Sequence, residues 1–251
     1  MKHPSLAGMV AAIKGLISRE GMHRRFTASA VIFMKKCAEF VLKQKSSEMI
    51  QIRANILRQF KRVLIFDSTA WDVNPALKNV LPGSGGGASV ANCRMQACYE
   101  YKSGSLNFFE IQPGIVSDTG YTPKLAGHLQ RGDLLIVDLG YFSMKTFHRI
   151  VSSGAFFLSR YFIGTKLMCP ETLKPLDLRT ILKRNPADIH QMHVLMGSRL
   201  NRRVQCRLVC LRVSPEVANE RRRKLRQEFK DKTLGAAHRA SNIADLAVFR
   251  A

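Results

Sequence analysis

Residues 133–160, with the sequence DLLIVDLGYFSMKTFHRIVSSGAFFLSR, decide how this chain is expected to fold. Residues 134–137 form a continuous apolar run, which is typical of a strand covered on both faces in the middle of an α/β sheet. Asp138 follows this run directly. After a short turn, Ser143 can cap a helix whose apolar residues recur every three or four positions, and a second strand is predicted over residues 155–158. The stretch therefore predicts a strand, a turn, a helix and a strand, with one acid at the end of the first strand.

That acid is a candidate functional residue because ligands of open α/β sheets bind in the crevice at the carboxyl ends of the strands. The alternative is that Asp138 only closes a turn or caps the next helix. A second apolar run, residues 63–66, is also followed by an acid, Asp67. If the two strands are neighbours, they bring two carboxylates together, and magnesium prefers such hard oxygen ligands together with substrate phosphates. The two runs predict a metal site, although a strand ending in an acid is by itself a common pattern.

Four short segments around these acids are similar to one enzyme family. They are DST at residues 67–69, SD at 117–118, GDLLIVDLGYFS at 132–143 and GAFFLSR at 154–160. Together they resemble the insertion-sequence transposases of the "insertion sequence four" family, which are DDE-type enzymes with a ribonuclease H-like core. The resemblance runs from residue 26 to residue 223 and is most specific around the second acid.

The resemblance implies phosphoryl transfer on double-stranded DNA at transposon ends. Asp67 and Asp138 correspond to the first two acids of the catalytic, metal-binding triad, and the implied cofactor is magnesium or manganese, with two ions in an intact enzyme. The family's third acid is a Glu in a motif that starts with Tyr. No Tyr follows Tyr161. We therefore expect a shortened transposase with impaired cleavage, whose tail from residue 233 onward is not family sequence.

Other polar residues compete for a role near the acid pair. Asp133 precedes its strand and is expected at the opposite end from Asp138, which makes it the poorer candidate. Asp118 is expected in a loop after a strand, either as a turn former or as an acid that supports the metal ligands. Ser68 and Thr69 either orient a metal-bound water or only satisfy the end of the strand, and the second interpretation is favoured.

The composition predicts a polyanionic partner. Lys and Arg total 40 against 18 Asp and Glu, a formal net charge of +22 over 251 residues. Neutralising phosphates releases their counterions, so this charge suits nucleic acid and predicts salt-dependent binding. No membrane partner is expected, because no apolar run approaches the roughly twenty residues of a spanning helix. The first thirty residues do not resemble an export signal, so we expect a cytoplasmic, nucleoid-associated protein of a bacterium or archaeon, with reduced cysteines.

Basic residues after the second acid are the candidate DNA contacts. Arg160, just past the strand at residues 155–158, can reach a phosphate or form a structural ion pair. Ser214 and Pro215 are expected to begin a helix. Its charged run either contacts nucleic acid or is a solvated face, and the candidates on it are Arg221, Arg222, Arg223 and Lys224.

The expected architecture is α/β: a ribonuclease H-like mixed sheet with helices, preceded by a helical module and followed by a β-rich insertion. The predicted hairpin of residues 92–101 and 105–113 places three strands before any major helix, which is the order of a ribonuclease H-like sheet. The expected units are a helical N-terminal module for DNA binding or for packing on the core (1–60), the first part of the catalytic core (61–165), the β-rich insertion (166–213), and the basic helix with a truncated tail (214–251).

Two other functions stay open. A regulator derived from a transposase would occupy transposon ends without cutting them and would not need metal. A basic RNA-binding protein would explain the charge, but it leaves the two acids unexplained, and the chain has no recognisable RNA-binding aromatic motif. The sequence also leaves a homodimer open.

Overall fold

A computed structural model gives the fold, and it describes residues 10–11, 16–47, 55–84, 89–185, 187–199, 202–230 and 248–250. The first sheet has five strands: β1 (Val63–Asp72), β2 (Asn92–Glu100), β3 (Ser105–Pro113), β4 (Leu134–Val137) and β5 (Phe156–Ser159). Their order across the sheet is β3-β2-β1-β4-β5. The strands β1, β2 and β3 are antiparallel, whereas β4 and β5 join parallel to β1. This mixed sheet with its helices confirms the predicted α/β class.

The second sheet has four strands in the order β6-β7-β8-β9. These are β6 (Leu167–Met168), β7 (Ile189–Met196), β8 (Val204–Leu211) and β9 (Val248–Arg250). The helices are α1 (Arg19–His23), α2 (Ala28–Ser47), α3 (Asp118–Gly127), α4 (Met144–Ser152), α5 (Leu178–Arg184) and α6 (Pro215–Lys230). None of the helices in the described ranges is long and apolar enough to cross a membrane.

One face of the first sheet carries the core. Residues Leu64 and Phe66 of β1 and their register partners on β4 are buried there against α3 and α4. The ring of Phe66 is 2% exposed and lies 5.6 Å from the ring of Tyr121 on α3 and 5.1 Å from that of Tyr141. Burying such a side chain stabilises the fold by about 1.5–3 kcal/mol. This packing fixes α3 and the turn after β4 directly behind the strand ends.

The strand β1 is longer than predicted. The prediction that Asp67 ends it was wrong, because β1 continues antiparallel to β2 as far as Asp72. Its parallel pairing with β4 stops at Phe66, opposite Val137. Continuous apolar residues mark only the part of a strand that is covered on both faces. Beyond Phe66, β1 pairs only with β2, and its residues there are mostly exposed.

The helix α3 begins earlier than the predicted short helix over residues 123–130. Ser117 is its N-cap and accepts a hydrogen bond from the backbone of Gly120 at 3.0 Å, so Asp118 lies in the first turn and the prediction of a loop was wrong. Pro123 lacks an N–H to donate to Thr119, four residues earlier. The carbonyl of Thr119 instead accepts from Oγ1 of Thr122 at 2.8 Å.

The other predicted elements need smaller changes. Helix α4 has its predicted cap, since Oγ of Ser143 accepts from the backbone of Thr146 at 3.3 Å. Strand β5 begins one residue later than predicted. Buried and exposed residues alternate along β8, within the expected β-rich insertion. That insertion also contains helix α5, which the prediction of a β-rich segment did not include.

The N-terminal segment forms helices α1 and α2, as the expected helical module requires. Gly21 lies inside α1. Thr27 caps α2 and accepts from the backbone of Ala30 at 3.2 Å. Large apolar side chains of α2 are solvent-exposed, with Phe33 at 64% and Phe40 at 62%. Residues 1–9, 12–15 and 48–54 of the expected module lie outside the described residues.

Candidate active site

Asp67 and Asp138 each follow a residue of one register pair between two parallel strands. Phe66 of β1 pairs with Val137 of β4, Asp67 directly follows Phe66 within β1, and Asp138 is the first residue after β4. Neighbouring strands lie about 4.8 Å apart, and residues in register point to the same face of a sheet. The structure therefore brings the two predicted acids to one end and one face of the first sheet.

Both carboxylates are open to solvent. One oxygen of each is oriented by the next residue along the chain: Oδ1 of Asp67 accepts from the backbone of Ser68 at 2.8 Å, and Oδ1 of Asp138 accepts from the backbone of Leu139 at 2.6 Å. Asp138 is also the cap of a single 3-10 turn, Leu139–Tyr141. Asp138 therefore caps this turn, the alternative role offered by the sequence, while its carboxylate stays exposed and able to bind a cation.

Arg160 extends the same row of strand ends. Val137 pairs with Ser159 of β5, and Arg160 directly follows Ser159 as Asp138 follows Val137. Nε of Arg160 donates to Oδ1 of Asp138 at 2.9 Å, and Nη2 donates to the same oxygen. Partial burial tends to raise the pKa of Asp138, but the hydrogen bond and charge of Arg160 outweigh it and lower that pKa. Of the two roles proposed for Arg160, the structure has the ion pair, and the phosphate contact stays a prediction.

Asp118 lies on the opposite face of the sheet from the acid pair. Its Oδ1 accepts from Oγ of Ser68 at 2.7 Å, from Nη1 of Arg94 at 2.9 Å and from Nε2 of Gln96 at 3.2 Å. Burial tends to raise the pKa of Asp118, but these hydrogen bonds and the charge of Arg94 lower it overall. The hydroxyl of Ser68 thus bonds the carboxylate of Asp118, and both interpretations offered for Ser68 stay predictions.

The hydrogen bonds around Asp118 form a network, and three of its residues were not identified as functional candidates in the sequence. Gln96 is fully buried on β2, Arg94 lies two positions before it, and the hydroxyl of Tyr141 donates to Oε1 of Gln96. Burial raises the pKa of that hydroxyl. A glutamine at a core-facing position of the strand-like run over residues 92–100 is the signal that could have pointed to a buried polar network.

The remaining candidates lie away from the pair. Asp133 is at the other end of β4, as predicted, where it is completely buried and forms a salt bridge with Arg62 at 2.5 Å. On α6, Arg221, Arg223 and Lys224 are exposed and Arg222 is half-buried. Lys224 pairs with Glu220 at 2.7 Å, and Nη1 of Arg222 donates to Asn219 at 2.7 Å. Their DNA contacts stay predictions.

The donor set of the acid pair suits a hard divalent cation. Two exposed carboxylates just past the last paired residues of β1 and β4 leave room for water and phosphate oxygens, which is how magnesium is commonly held. Within the described ranges, no group of three His, Cys, Asp or Glu could hold a metal ion.

The chain is an α/β protein with a mixed five-stranded sheet, in which two exposed carboxylates follow the last paired residues of two neighbouring parallel strands. The family described as "Transposase DDE domain" matches residues 58–243, and the chain belongs to this family. The DDE domain implies dependence on a divalent metal. Because the match extends to residue 243, the expectation that residues from 233 onward are foreign to the family was wrong for most of that tail.

Curated transposases of insertion sequence elements from Bacillus thuringiensis are similar to the chain. For the IS231F transposase the identity is 34% over 163 residues, covering 64% of this chain and 34% of that protein. The IS231C transposase is 31% identical over 85% of this chain and 48% of its own length. The IS231E transposase is 27% identical over 97% of this chain and 54% of its own length. The chain thus spans about half, or less, of the curated relatives it matches.

Among solved structures, an endonuclease V from Ciona intestinalis in complex with a DNA 23mer aligns over 76% of this chain and 80% of its own. The sequence identity is 12% and the TM-score 0.29. A likeness at this level bears on neither fold nor function.

Proposed function

We propose that this chain carries the first two acids of an insertion-sequence transposase, binds double-stranded DNA at transposon ends, and takes part in metal-dependent breakage and joining of DNA strands. The observation that carries the proposal is that Asp67 and Asp138 directly follow Phe66 and Val137, the last register partners of the parallel strands β1 and β4. Family membership supports the reaction class. The order β3-β2-β1-β4-β5, with an antiparallel meander followed by parallel strands, supports a ribonuclease H-like core.

Asp67, Asp138 and Arg160 have separate roles in the proposed site. Asp67 and Asp138 would hold the divalent metal, magnesium or manganese, through their exposed carboxylates. When bound, the metal activates a water or a DNA 3′-hydroxyl and stabilises the leaving oxygen of an in-line displacement. Arg160 pairs with Asp138 in the free chain. In the complex with DNA it turns to a phosphate, whose negative charge its guanidinium then offsets.

The DNA partner is favoured by charge and by position. The net charge of +22 supplies a strong, salt-dependent attraction for phosphates. On α6, basic side chains are exposed where a duplex can approach, and the proposed phosphate contacts are Arg221, Arg222, Arg223 and Lys224.

A metal titration tests the site independently of cleavage. Binding of manganese to the full chain is measured by calorimetry for the parent and for Asp67→Asn, Asp138→Asn and Asp72→Asn. Asp72 is an exposed acid on the same strand, hydrogen-bonded to Asn92 at 2.9 Å, and serves as the matched control. We expect the first two variants to lose measurable binding and the control to keep it. Unchanged binding in both acid variants would refute the metal site.

A competition experiment separates the alternative functions. Affinities for terminal-repeat DNA and for a structured RNA of equal length are compared at the same salt concentration, with and without magnesium. A transposase is expected to prefer the DNA and to bind it more tightly with metal. Tighter binding of the RNA would favour the RNA-binding protein, whereas DNA binding indifferent to magnesium would favour the regulator.

A further inference from the structure

Asp118 connects the two segments that carry the candidate metal ligands. It opens α3 behind the strand ends, and its carboxylate reaches β1 and β2, while the next residue, Thr119, reaches the turn after β4. We propose that Asp118 is a positioning residue that holds Asp67 and Asp138 in place from the opposite face of the sheet. This inference rests on the metal site proposed above.

The link to Asp67 runs through its neighbour. Ser68 follows Asp67 on β1, and successive side chains of a strand point to opposite faces. Oγ of Ser68 donates to Asp118 at 2.7 Å. This hydrogen bond falls where β1 loses its pairing with β4 and keeps only β2 as a partner. It therefore anchors the strand at the position where backbone support from one side ends.

The link to Asp138 runs through the 3-10 turn that Asp138 caps. Oγ1 of Thr119 donates to the carbonyl of Gly140 at 2.8 Å. The hydroxyl of Tyr141 donates to Gln96, whose amide donates to Asp118 at 3.2 Å. A Cβ added at Gly140 would lie 3.1 Å from Oδ2 of Asp118, so the turn packs directly against the carboxylate.

Asp118 also neutralises Arg94 of β2 behind the sheet. Nη1 of Arg94 lies 2.9 Å from Oδ1 of Asp118, and both side chains are 23% exposed. Removing one partner of a partly buried ion pair leaves the other charge uncompensated. Nη1 of Arg94 also donates to Oγ of Ser68 at 3.1 Å, so loss of Asp118 would disturb the residue that follows Asp67. Because Oδ1 of Asp118 already accepts three hydrogen bonds on the far face, its role is to position the metal ligands rather than to bind metal.

Manganese binding to the full chain, measured by calorimetry, tests this role. Asp118→Ala is expected to weaken manganese binding about tenfold, a size known for residues that support metal ligands. Asp118→Asn keeps an acceptor for Ser68 and should recover part of the loss. The matched control is Asp133→Ala, which removes a more buried acid from an ion pair with Arg62 at the other end of β4. It should lower the melting temperature at least as much and leave the Kd for manganese unchanged.

Three outcomes overturn the inference. These are an unchanged Kd in Asp118→Ala, an equal weakening in Asp133→Ala, and, if Asp118→Ala does not fold, an unchanged Kd in Ser68→Ala. If the variants of Asp67 and Asp138 lose manganese binding while those of Asp118 and Ser68 keep it, only the positioning role is refuted. Binding unaffected in the variants of Asp67 and Asp138 refutes the proposed metal site instead.

Discussion

Arg160 and Asp138 form an ion pair at adjacent ends of β5 and β4, with both Nε and Nη2 of Arg160 donating to Oδ1 of Asp138. The two side chains are 53% and 57% exposed. The guanidinium of Arg160 thus lies against a carboxylate oxygen of Asp138, which is a proposed metal ligand. If Asp138 holds metal as proposed, metal and guanidinium would compete for it, and a DNA phosphate that attracts Arg160 would release the carboxylate.

The first prediction concerns Arg160→Ala. In the absence of DNA, manganese should bind more tightly, because no ion pair has to be broken. The gain should be about fivefold or less, since an exposed pair contributes at most about 1 kcal/mol. Affinity for DNA should fall, and the salt dependence of binding should weaken by about one counterion. Calorimetry with manganese and DNA titrations at several salt concentrations measure both effects.

The control for Arg160→Ala is Arg24→Ala, which breaks another exposed ion pair, with Glu20 at 3.2 Å. It should leave manganese binding unchanged. Equal or weaker manganese binding in Arg160→Ala would contradict the competition.

The second prediction uses the only tryptophan of the chain. Trp71 is 43% exposed and lies four residues beyond Asp67 on β1, on the same face by strand alternation and about 13 Å away. DNA bound at the acid pair should quench its fluorescence, and added salt should restore it. Fluorescence that stays constant while an independent assay reports binding of the same DNA would place the DNA elsewhere.

The third prediction concerns stability in acid. The pKa of Asp118 is lowered in the folded chain, so the unfolded chain takes up a proton first as the pH falls. The stabilisation is complete above the ordinary pKa of an aspartate, about 3.9, and is lost as the pH drops below it. The free energy of unfolding in urea should therefore fall less between pH 6 and about pH 3 for Asp118→Asn than for the parent chain. Identical acid dependence in the two proteins would argue against this role of the ion pair with Arg94.

The fourth prediction tests the core behind the site. Phe147 on α4 is 1% exposed, and its ring stacks on that of Phe157 at 4.1 Å. Phe147→Ala should lower the free energy of unfolding by about 3–5 kcal/mol. Phe162→Ala, at a residue that is 54% exposed, should change it much less. Chemical denaturation measures both, and similar losses in the two variants would contradict the assigned core.

The positions of Asp67 and Asp138 after two strands could be predicted from the sequence. The hydrogen bonds that Asp118 makes behind those strands could not. The runs at residues 63–66 and 134–137 are apolar throughout, so their strands and the acids that follow them could be placed from local pattern. The hydrogen bond from Ser68 to Asp118 joins residues 50 positions apart, and no local pattern encodes it. The extension of β1 beyond Asp67 likewise depends on pairing with β2, because its residues there are mostly polar and exposed.

The last prediction separates binding from cleavage. We expect the chain to bind transposon-end DNA and to give little or no magnesium-dependent nicking of supercoiled plasmid. In the part of the chain that the structure describes, Asp67 and Asp138 follow one register pair, and no group of three metal-binding side chains is present. Two-metal phosphoryl transfer needs donors for both ions, so Asp67 and Asp138 alone should hold them weakly. Gel analysis of plasmid nicking measures the rate, with Asp138→Ala as the background. Robust nicking that disappears in Asp138→Ala would show that the pair suffices for catalysis.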